Sequence, residues 1–297
     1  MSVVTDPPWL SPGTDTTALL VTGGGAPAGL TEVFVRGKSD ASRCEDIIVV
    51  TPRHVAVLDG MSTPLREPGQ APSGRAFAAT AAAAIGALPA RATAYEAGAA
   101  ITRRLAALDV AHTGPAGAVA AIYSAERNEV WRVGDIHIAI NGKQHPGRKD
   151  VDVAMARYRA AVNSAHLTDG MLSLAQLRDA DPGLAAARPL LAVQPALANR
   201  TVPYGYGVLD GTRVPDVFVE VFPVPHPCWV VLASDGFLTA APTLDAAQSE
   251  LDAAIATDPA CIGALWEMGK ALRSGSAAPD DRSYARLRTR TPRKDPS

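Results

Sequence analysis

Cysteine is scarce: the 297-residue chain has 3, at positions 44, 228 and 261, far apart and without CxxC spacing. A dispersed, odd-numbered set argues against a disulfide framework and against a cysteine zinc site, and predicts reduced thiols. No apolar run reaches the roughly 18 residues a membrane span needs. The alanine-rich stretch at 76–84 is soon followed by Gly86 and Pro89. The opening MSVVTDPPWLSPGTD has no basic region leading into an apolar one, so no signal peptide and a cytoplasmic location are expected. Charge of one sign is missing as well: 28 Lys and Arg stand against 30 Asp and Glu, with net charge −2. Basic residues are scattered except between Arg286 and Lys294, so no nucleic-acid or membrane partner is expected.

Several catalytic signatures are absent. Gly23-Gly24-Gly25 is not followed by Gly-Lys-Ser/Thr, which leaves a turn in place of a P-loop. Pro203-Tyr204-Gly205-Tyr206-Gly207 does not complete a dinucleotide fingerprint, because Gly211 comes one position late. It reads as a loop near the site, with Asp210 and Arg213 as candidate substrate contacts. The six histidines form no HExxH pair. Ser234 lacks the Gly-x-Ser-x-Gly elbow of a serine hydrolase. No organic cofactor is implied.

What is present is an ordinary globular composition, 47% apolar and 20% charged, and a set of acids placed against apolar runs. Val55-Ala56-Val57-Leu58 leads into Asp59-Gly60-Met61, and Trp229-Val230-Val231-Leu232-Ala233-Ser234 leads into Asp235-Gly236. Each reads as a buried strand ending in a carboxylate. Glu45-Asp46 opens the apolar run Ile47–Val50, and Thr51-Pro52-Arg53 turns it into His54–Leu58. That hairpin places Asp46 and Asp59 at the same end, where a metal could be shared.

Other strands are expected at 18–22 and 32–35 (joined strand-turn-strand), 118–123, 129–133, 136–140, 217–221, 229–232 and 284–287. Helices are expected within 73–108 (two, packed on a sheet), at 150–162, 173–177 and 184–197, and at 244–255 and 261–272. Residues 1–16 read as a loose lead-in, 17–290 as one domain with a helical insert at about 145–200, and 291–297 as a flexible tail.

Carboxylates and carbonyls suit hard ions such as Mg²⁺ and Mn²⁺. A lone Asp-Gly is usually a turn. Two behind apolar strands, with Glu-Asp opening a third, are harder to dismiss. Two ions roughly 3.5–4 Å apart would bring a bridging hydroxide and a phosphate oxygen together.

In order, the chain carries Arg43-Cys44-Glu45-Asp46, Asp59-Gly60-Met61, Val133-Gly134-Asp135, Ser234-Asp235-Gly236 and Asp280-Asp281-Arg282-Ser283. Together they resemble the metal-dependent type-2C protein phosphatases, particularly the bacterial branch, over about residues 17–290. The resemblance implies an α+β fold, an αββα sandwich of two antiparallel sheets flanked by helix pairs. It also implies hydrolysis of phosphoserine and phosphothreonine by direct attack of a hydroxide held by two ions, without a phosphoenzyme.

By position, Asp59 would bridge the ions, the Gly60 carbonyl would bind one, and Asp235 and Asp280 would complete the other shell. Glu45 and Asp46 would hold metal-bound waters or bind directly, and Asp135 with Asp235 would form a third site. No side chain is implied as general acid, since Met61 stands where some members carry histidine. The arginine that many members place four residues before the Glu is absent, that position being Ala41. Arg43 is the candidate to bind phosphate in its stead. Ser62-Thr63-Pro64 replaces the glycines after Asp-Gly-Met. These departures leave open a small phosphate ester as substrate, or a weak or inactive relative that acts as a binding or regulatory module.

Overall fold

The computed structural model describes residues 7–39, 41–62, 74–108 and 115–289. In chain order these form β1 (Leu19–Val21), β2 (Leu30–Arg36), β3 (Ile47–Val50), β4 (His54–Ser62), α1 (Gly74–Gly86), α2 (Ala94–Leu105), β5 (Ala116–Ser124), β6 (Glu129–Val133), β7 (His137–Ile140) and β8 (Lys143–His145). There follow α3 (Asp150–Thr168), α4 (Leu174–Ala180), α5 (Pro182–Val193), β9 (Glu220–Pro223), β10 (Trp229–Ala233), α6 (Leu244–Thr257) and β11 (Arg282–Arg288).

The period-2 geometry of a strand sends alternate side chains to opposite faces, and here the two faces meet different partners. On β3, β4 and β5, Ile48, Val50, Val55, Val57, Val119 and Ala121 point into a core shared with Val33, Ile138, Val230, Leu232 and Leu287 of the other sheet. Their neighbours Ile47, Val49, Ala56, Leu58, Ala118 and Ala120 face Phe77, Ala81 and Ile85 of α1 and Ala97, Ile101 and Leu105 of α2. On the far side, Val231, Ala233 and Tyr284 face Phe237 and the Leu244 and Leu251 side chains of α6.

The result is two stacked sheets with helices outside, the expected α+β sandwich. The six-stranded sheet runs β1-β3-β4-β5-β6-β9 and the five-stranded sheet β2-β11-β10-β7-β8. The pairings are antiparallel except β1 with β3, which is parallel. No helix among the described residues is long and apolar enough to cross a membrane. All three cysteines are buried free thiols.

The runs at 18–22 and 32–35 form strand, turn and strand as expected, and three other local expectations are corrected. The two strands lie in different sheets. Gly23, Gly24 and Gly25, at φ 70°, 84° and 157°, carry the chain from one sheet to the other. From Pro7 onward the lead-in is packed: Trp9 is buried, and Leu10 bridges Val33 on β2. Residues 1–6 and the tail from 290 lie outside the described residues.

The strand expected at 217–221 begins only at Glu220, after a 3₁₀ turn over Asp216–Phe218. The helix expected at 261–272 is absent apart from a 3₁₀ turn over Trp266–Met268. There the Asp258 carboxylate accepts from the N–H groups of Ile262, Gly263 and Leu265 at 3.0, 2.8 and 2.9 Å, a loop arrangement that competes with helical bonding. The α2 helix, which does form, carries a start signal missing there. α2 starts on a capping box, with Glu96 N–H donating to Thr93 Oγ1 at 3.2 Å and Thr93 N–H donating to Glu96 Oε2 at 2.8 Å.

His54 opens β4 fully buried, tilted against Trp131 at 6.1 Å, and its Nε2 has no hydrogen-bond partner among the described residues. Burial, then the charge of Arg53, lowers its pKa. The unfolded chain therefore takes up this proton more readily, so stability present above about pH 6.5 is lost as pH falls below it. Urea unfolding at pH 7.5 and 5.5 should show a smaller loss for His54→Leu than for the native chain. Equal losses would exclude His54 as a source.

Candidate metal centre

Strand register gathers the acids at one end of the sandwich. Ile47 pairs with Leu58, so Asp46 lies beside Asp59 as the hairpin predicts, and Gly60 N–H donates to the Glu45 carbonyl at 3.2 Å. Ala233 pairs with Tyr284, so the chain beyond β10 (Ser234-Asp235) and the chain before β11 (Asp280-Asp281) emerge together. Asp135 follows β6, where the chain crosses to β7 in the other sheet. Gly134 makes that crossing at φ 93°, and a Cβ there would sit 2.2 Å from Val119 Cγ1.

One expectation changes. Asp59-Gly60 does not end its strand: β4 continues to Ser62, with Asp59, Gly60 and Met61 opposite Val119, Ala118 and Gly117. It is β3 that starts only at Ile47. The β4 edge beyond is met by the Glu45 backbone and by Gly74 at the start of α1.

Asp46 is 1% exposed, and its Oδ2 accepts from Ser234 Oγ and Ser283 Oγ, both at 2.7 Å. Ser283 N–H donates to Ser234 Oγ at 2.9 Å, which closes a buried ring joining Asp46 to β10 and β11. Asp46 Oδ1 has no partner among the described residues. Burial, followed by the charge of Asp281, pushes this carboxyl well above the usual carboxylate range.

Asp59 is pushed the same way by burial and then by Asp46, Asp235, Asp280 and Asp135. Asp235 is raised by burial and then by Asp135 and Asp280, and its buried Oδ1 also lacks a partner among the described residues. Glu45 Oε1 accepts from Ser62 Oγ at 2.6 Å, and Ser62 Oγ in turn accepts from Gly74 N–H at 2.7 Å.

The other two predicted acids carry partners that the sequence does not single out. Lys38 Nζ donates to Asp280 Oδ1 at 2.8 Å, and Lys270 Nζ pairs with Asp280 Oδ2. Burial would raise the Asp280 carboxyl, but Lys270 and Lys38 hold it well below the carboxylate range. Asp281 accepts from the N–H groups of Lys38 at 2.8 Å and Glu45 at 3.0 Å.

Lys149, at the start of α3, lies 2.9 Å from Asp135 and 3.4 Å from Asp152, with its ammonium 5.8 Å from the Tyr206 ring centre. Burial opposes its charge, yet Asp135 and Asp152 keep it protonated well above the ordinary lysine range. Only Lys38, three residues before Ala41, stands where the sequence could have suggested a cation.

The candidate phosphate-binding groups are placed differently. Arg43 is exposed at the end of a 3₁₀ turn and pairs with none of the described acids. Arg75, in the first turn of α1, donates instead to the carbonyls of Cys44 and Thr17. Asp210 and Arg213 do not face the acids: Asp210 accepts from Thr212 and Asn199, and Arg213 pairs with Asp216.

The donor set suits a hard divalent ion in kind, being all carboxylate and carbonyl oxygen. Two buried oxygens, on Asp46 and Asp235, have no hydrogen-bond partner among the described residues. The fit is uneven, however. Among the described residues no three acidic, histidine or cysteine side chains converge to chelate one ion, and the carboxylates of Asp280 and Asp135 are held by ammonium groups. Mg²⁺ commonly takes one or two carboxylates and keeps several waters, so one or two of Asp46, Asp59 and Asp235 would suffice as its protein ligands.

No protein-family model matches the chain, and no curated protein does. Solved structures do. The serine/threonine phosphatase PstP/Ppp of Mycobacterium tuberculosis is 14% identical, over 88% of this chain and 100% of that one, with a TM-score of 0.45. The PPM Ser-Thr phosphatase MsPP of Mycobacterium smegmatis, in complex with cacodylate, is 15% identical over 88% and 98%, with a TM-score of 0.43. Serine/threonine phosphatase Stp1 of Staphylococcus aureus is 12% identical over 91% and 99%, with a TM-score of 0.46. The chain is thus similar to bacterial serine/threonine phosphatases, and likeness of this size leaves the chemistry to be read from the residues of this site.

Proposed function

We propose that the chain is a divalent-metal-dependent phosphatase acting on phosphate monoesters, with phosphoserine and phosphothreonine of proteins as the first candidates. The observation that carries this reading is that buried carboxylate oxygens of Asp46 and Asp235 have no hydrogen-bond partner among the described residues, with both acids near enough to Asp59 to raise its pKa. Bare buried acceptors of like charge are costly unless a cation meets them. A bound Mg²⁺ or Mn²⁺ supplies Lewis acidity and makes water a nucleophile near neutral pH.

The chain's own groups do the rest. Asp59, Asp235 and the Gly60 carbonyl offer donors, and Ser234 and Ser283 fix Asp46 so that its free oxygen faces inward. Glu45, held by Ser62, offers its carboxylate to a water beside these acids. Arg43 is free to reach an incoming phosphate from the rim. Asp280 and Asp135 enter as acids of the same basin.

A second reading has its own observation. The ion pairs of Lys38 and Lys270 with Asp280, and of Lys149 with Asp135, neutralise two predicted metal ligands. That suits a weakly active or inactive relative serving as a binding module.

Hydrolysis of p-nitrophenyl phosphate by purified protein, in Mn²⁺, Mg²⁺ or EDTA, separates the two. The phosphatase reading expects metal-dependent turnover that falls by on the order of 100-fold or more in Asp59→Asn, at least the loss typical of disturbed metal sites. No turnover with either metal, or turnover untouched by EDTA and by the substitution, would remove it.

A further inference from the structure

Seven carboxylates, those of Glu45, Asp46, Asp59, Asp135, Asp235, Asp280 and Asp281, share this end of the sandwich with three ammonium groups. The lysines are not spread evenly among them. Lys38 and Lys270 take one oxygen each of Asp280, and Lys38 also reaches Asp281 Oδ2 at 3.4 Å. Lys149 takes Asp135 from the other flank. Of the four acids without a lysine, Asp46 and Asp235 have buried oxygens with no partner among the described residues, Asp59 lies beside them, and Glu45 is held by Ser62.

These lysines come from unrelated parts of the fold. Lys38 lies in the connection after β2, Lys149 precedes α3, and Lys270 sits in the loop that replaces the expected helix. The Lys149 side chain is shielded, at 8% exposed, while those of Lys38 and Lys270 are partly exposed, at 33% and 37%. An ammonium is a compact point charge that can stand near a carboxylate where a cation would.

We infer that Lys38 and Lys270 on Asp280 fill the place a second cation would occupy, so that this basin takes no more than one divalent cation, on the side of Asp46, Asp59 and Asp235. Lys149 does the same at Asp135, so the third position is closed too. The inference rests on the metal-dependent reading above but departs from the two ions the sequence resemblance implies. In this arrangement the lysines share the counter-charge for an incoming phosphate with the single ion. They also keep Asp280 ionised and paired when no metal is present.

The test is Mn²⁺ stoichiometry, read from the EPR signal of free Mn²⁺ during titration of metal-free protein and checked by elemental analysis after dialysis. The native chain is expected to bind one Mn²⁺, and Lys38→Met/Lys270→Met to bind two, the second with Asp280 as a new ligand. Adding Asp280→Asn to that pair should return the count to one. Lys270→Met alone, at a partly exposed side chain, tests the same point if the double variant does not fold. It should weaken the exclusion and admit a second ion at higher Mn²⁺.

Two ions on the native chain would overturn the inference and leave the metal-dependent reading standing. One ion on both the native chain and the lysine variants would overturn the role given to Lys38 and Lys270. No bound Mn²⁺ on any of these proteins would overturn the metal-dependent reading, and the inference with it.

Discussion

An alanine at Gly60 is expected to unseat the centre and cost the fold on the order of 3 kcal/mol or more, at or above the upper end of the usual 1–3 kcal/mol for an overpacked core. The added Cβ would lie 2.5 Å from the carbonyl carbon and oxygen of Gly74 and 2.8 Å from the carbonyl oxygen of Glu45. All three are backbone atoms, so no rotamer change relieves the contact. Either α1 retreats from β4, breaking the Gly74–Ser62–Glu45 chain of hydrogen bonds, or β4 tilts away from β5. Both outcomes move Asp59, one residue away.

The reciprocal change, Gly74→Ala, meets Gly60 and Met61 backbone at 2.5 Å and should behave alike. Urea unfolding and Mn²⁺ titration of both variants check this. Native-like midpoints with unchanged metal binding would show that the close approach of α1 to β4 is not needed.

The second large effect concerns Arg159, which is fully buried on α3. Its Nε donates to Asp181 at 2.9 Å, and Nη1 and Nη2 donate to the carbonyls of Cys261 and Ala260 at 2.7 and 3.0 Å. Asp181 also accepts from Asn163 Nδ2 at 2.8 Å and caps α5 through Leu184 N–H at 3.1 Å.

Arg159→Met leaves a buried carboxylate without its counter-charge and two carbonyls without the guanidinium that donates to them, so a loss of about 3–5 kcal/mol is expected. Urea unfolding reads it directly. In Arg159→Met/Asp181→Asn the uncompensated charge is gone, and part of the loss should return. A single variant within about 0.5 kcal/mol of native stability, the range of ordinary surface changes, would sink this account. The same arginine holds the loop carrying Lys270, so its removal should also loosen the cation beside Asp280.

Much of the layer order was legible because strands in a two-layer sandwich leave a clear trace. Ile47–Val50 and Val55–Leu58 are apolar on both faces, since one meets the opposite sheet and the other meets helices. The acid-bearing ends stood out for a similar reason: a carboxylate next to such a run is out of place unless something gathers it.

What stayed hidden depends on contacts distant in sequence. Nothing local tells that Ser234 and Ser283 meet on one oxygen of Asp46, or that Lys270 reaches Asp280. The loop at 261–272 misled because its apolar spacing is helical while Asp258 captures the amides a first turn would use. Ser62 drew notice as a departure from a glycine, and its partner Glu45 became visible only in space.

β11 is the last strand described, yet it lies between β2 and β10 inside the five-stranded sheet. Asp280 and Asp281 immediately precede it, and Ser283 lies within it. During synthesis, a chain that has reached α6 has already delivered Asp46, Asp59, Asp135 and Asp235. It still has an open slot in one sheet and no closed ring around Asp46. Domains tend to fold as units while the ribosome adds about 5–20 residues each second. A ribosome stalled before residue 282 would therefore hold a long chain without a complete acid cluster, with its β2 and β10 edges exposed to any other strand.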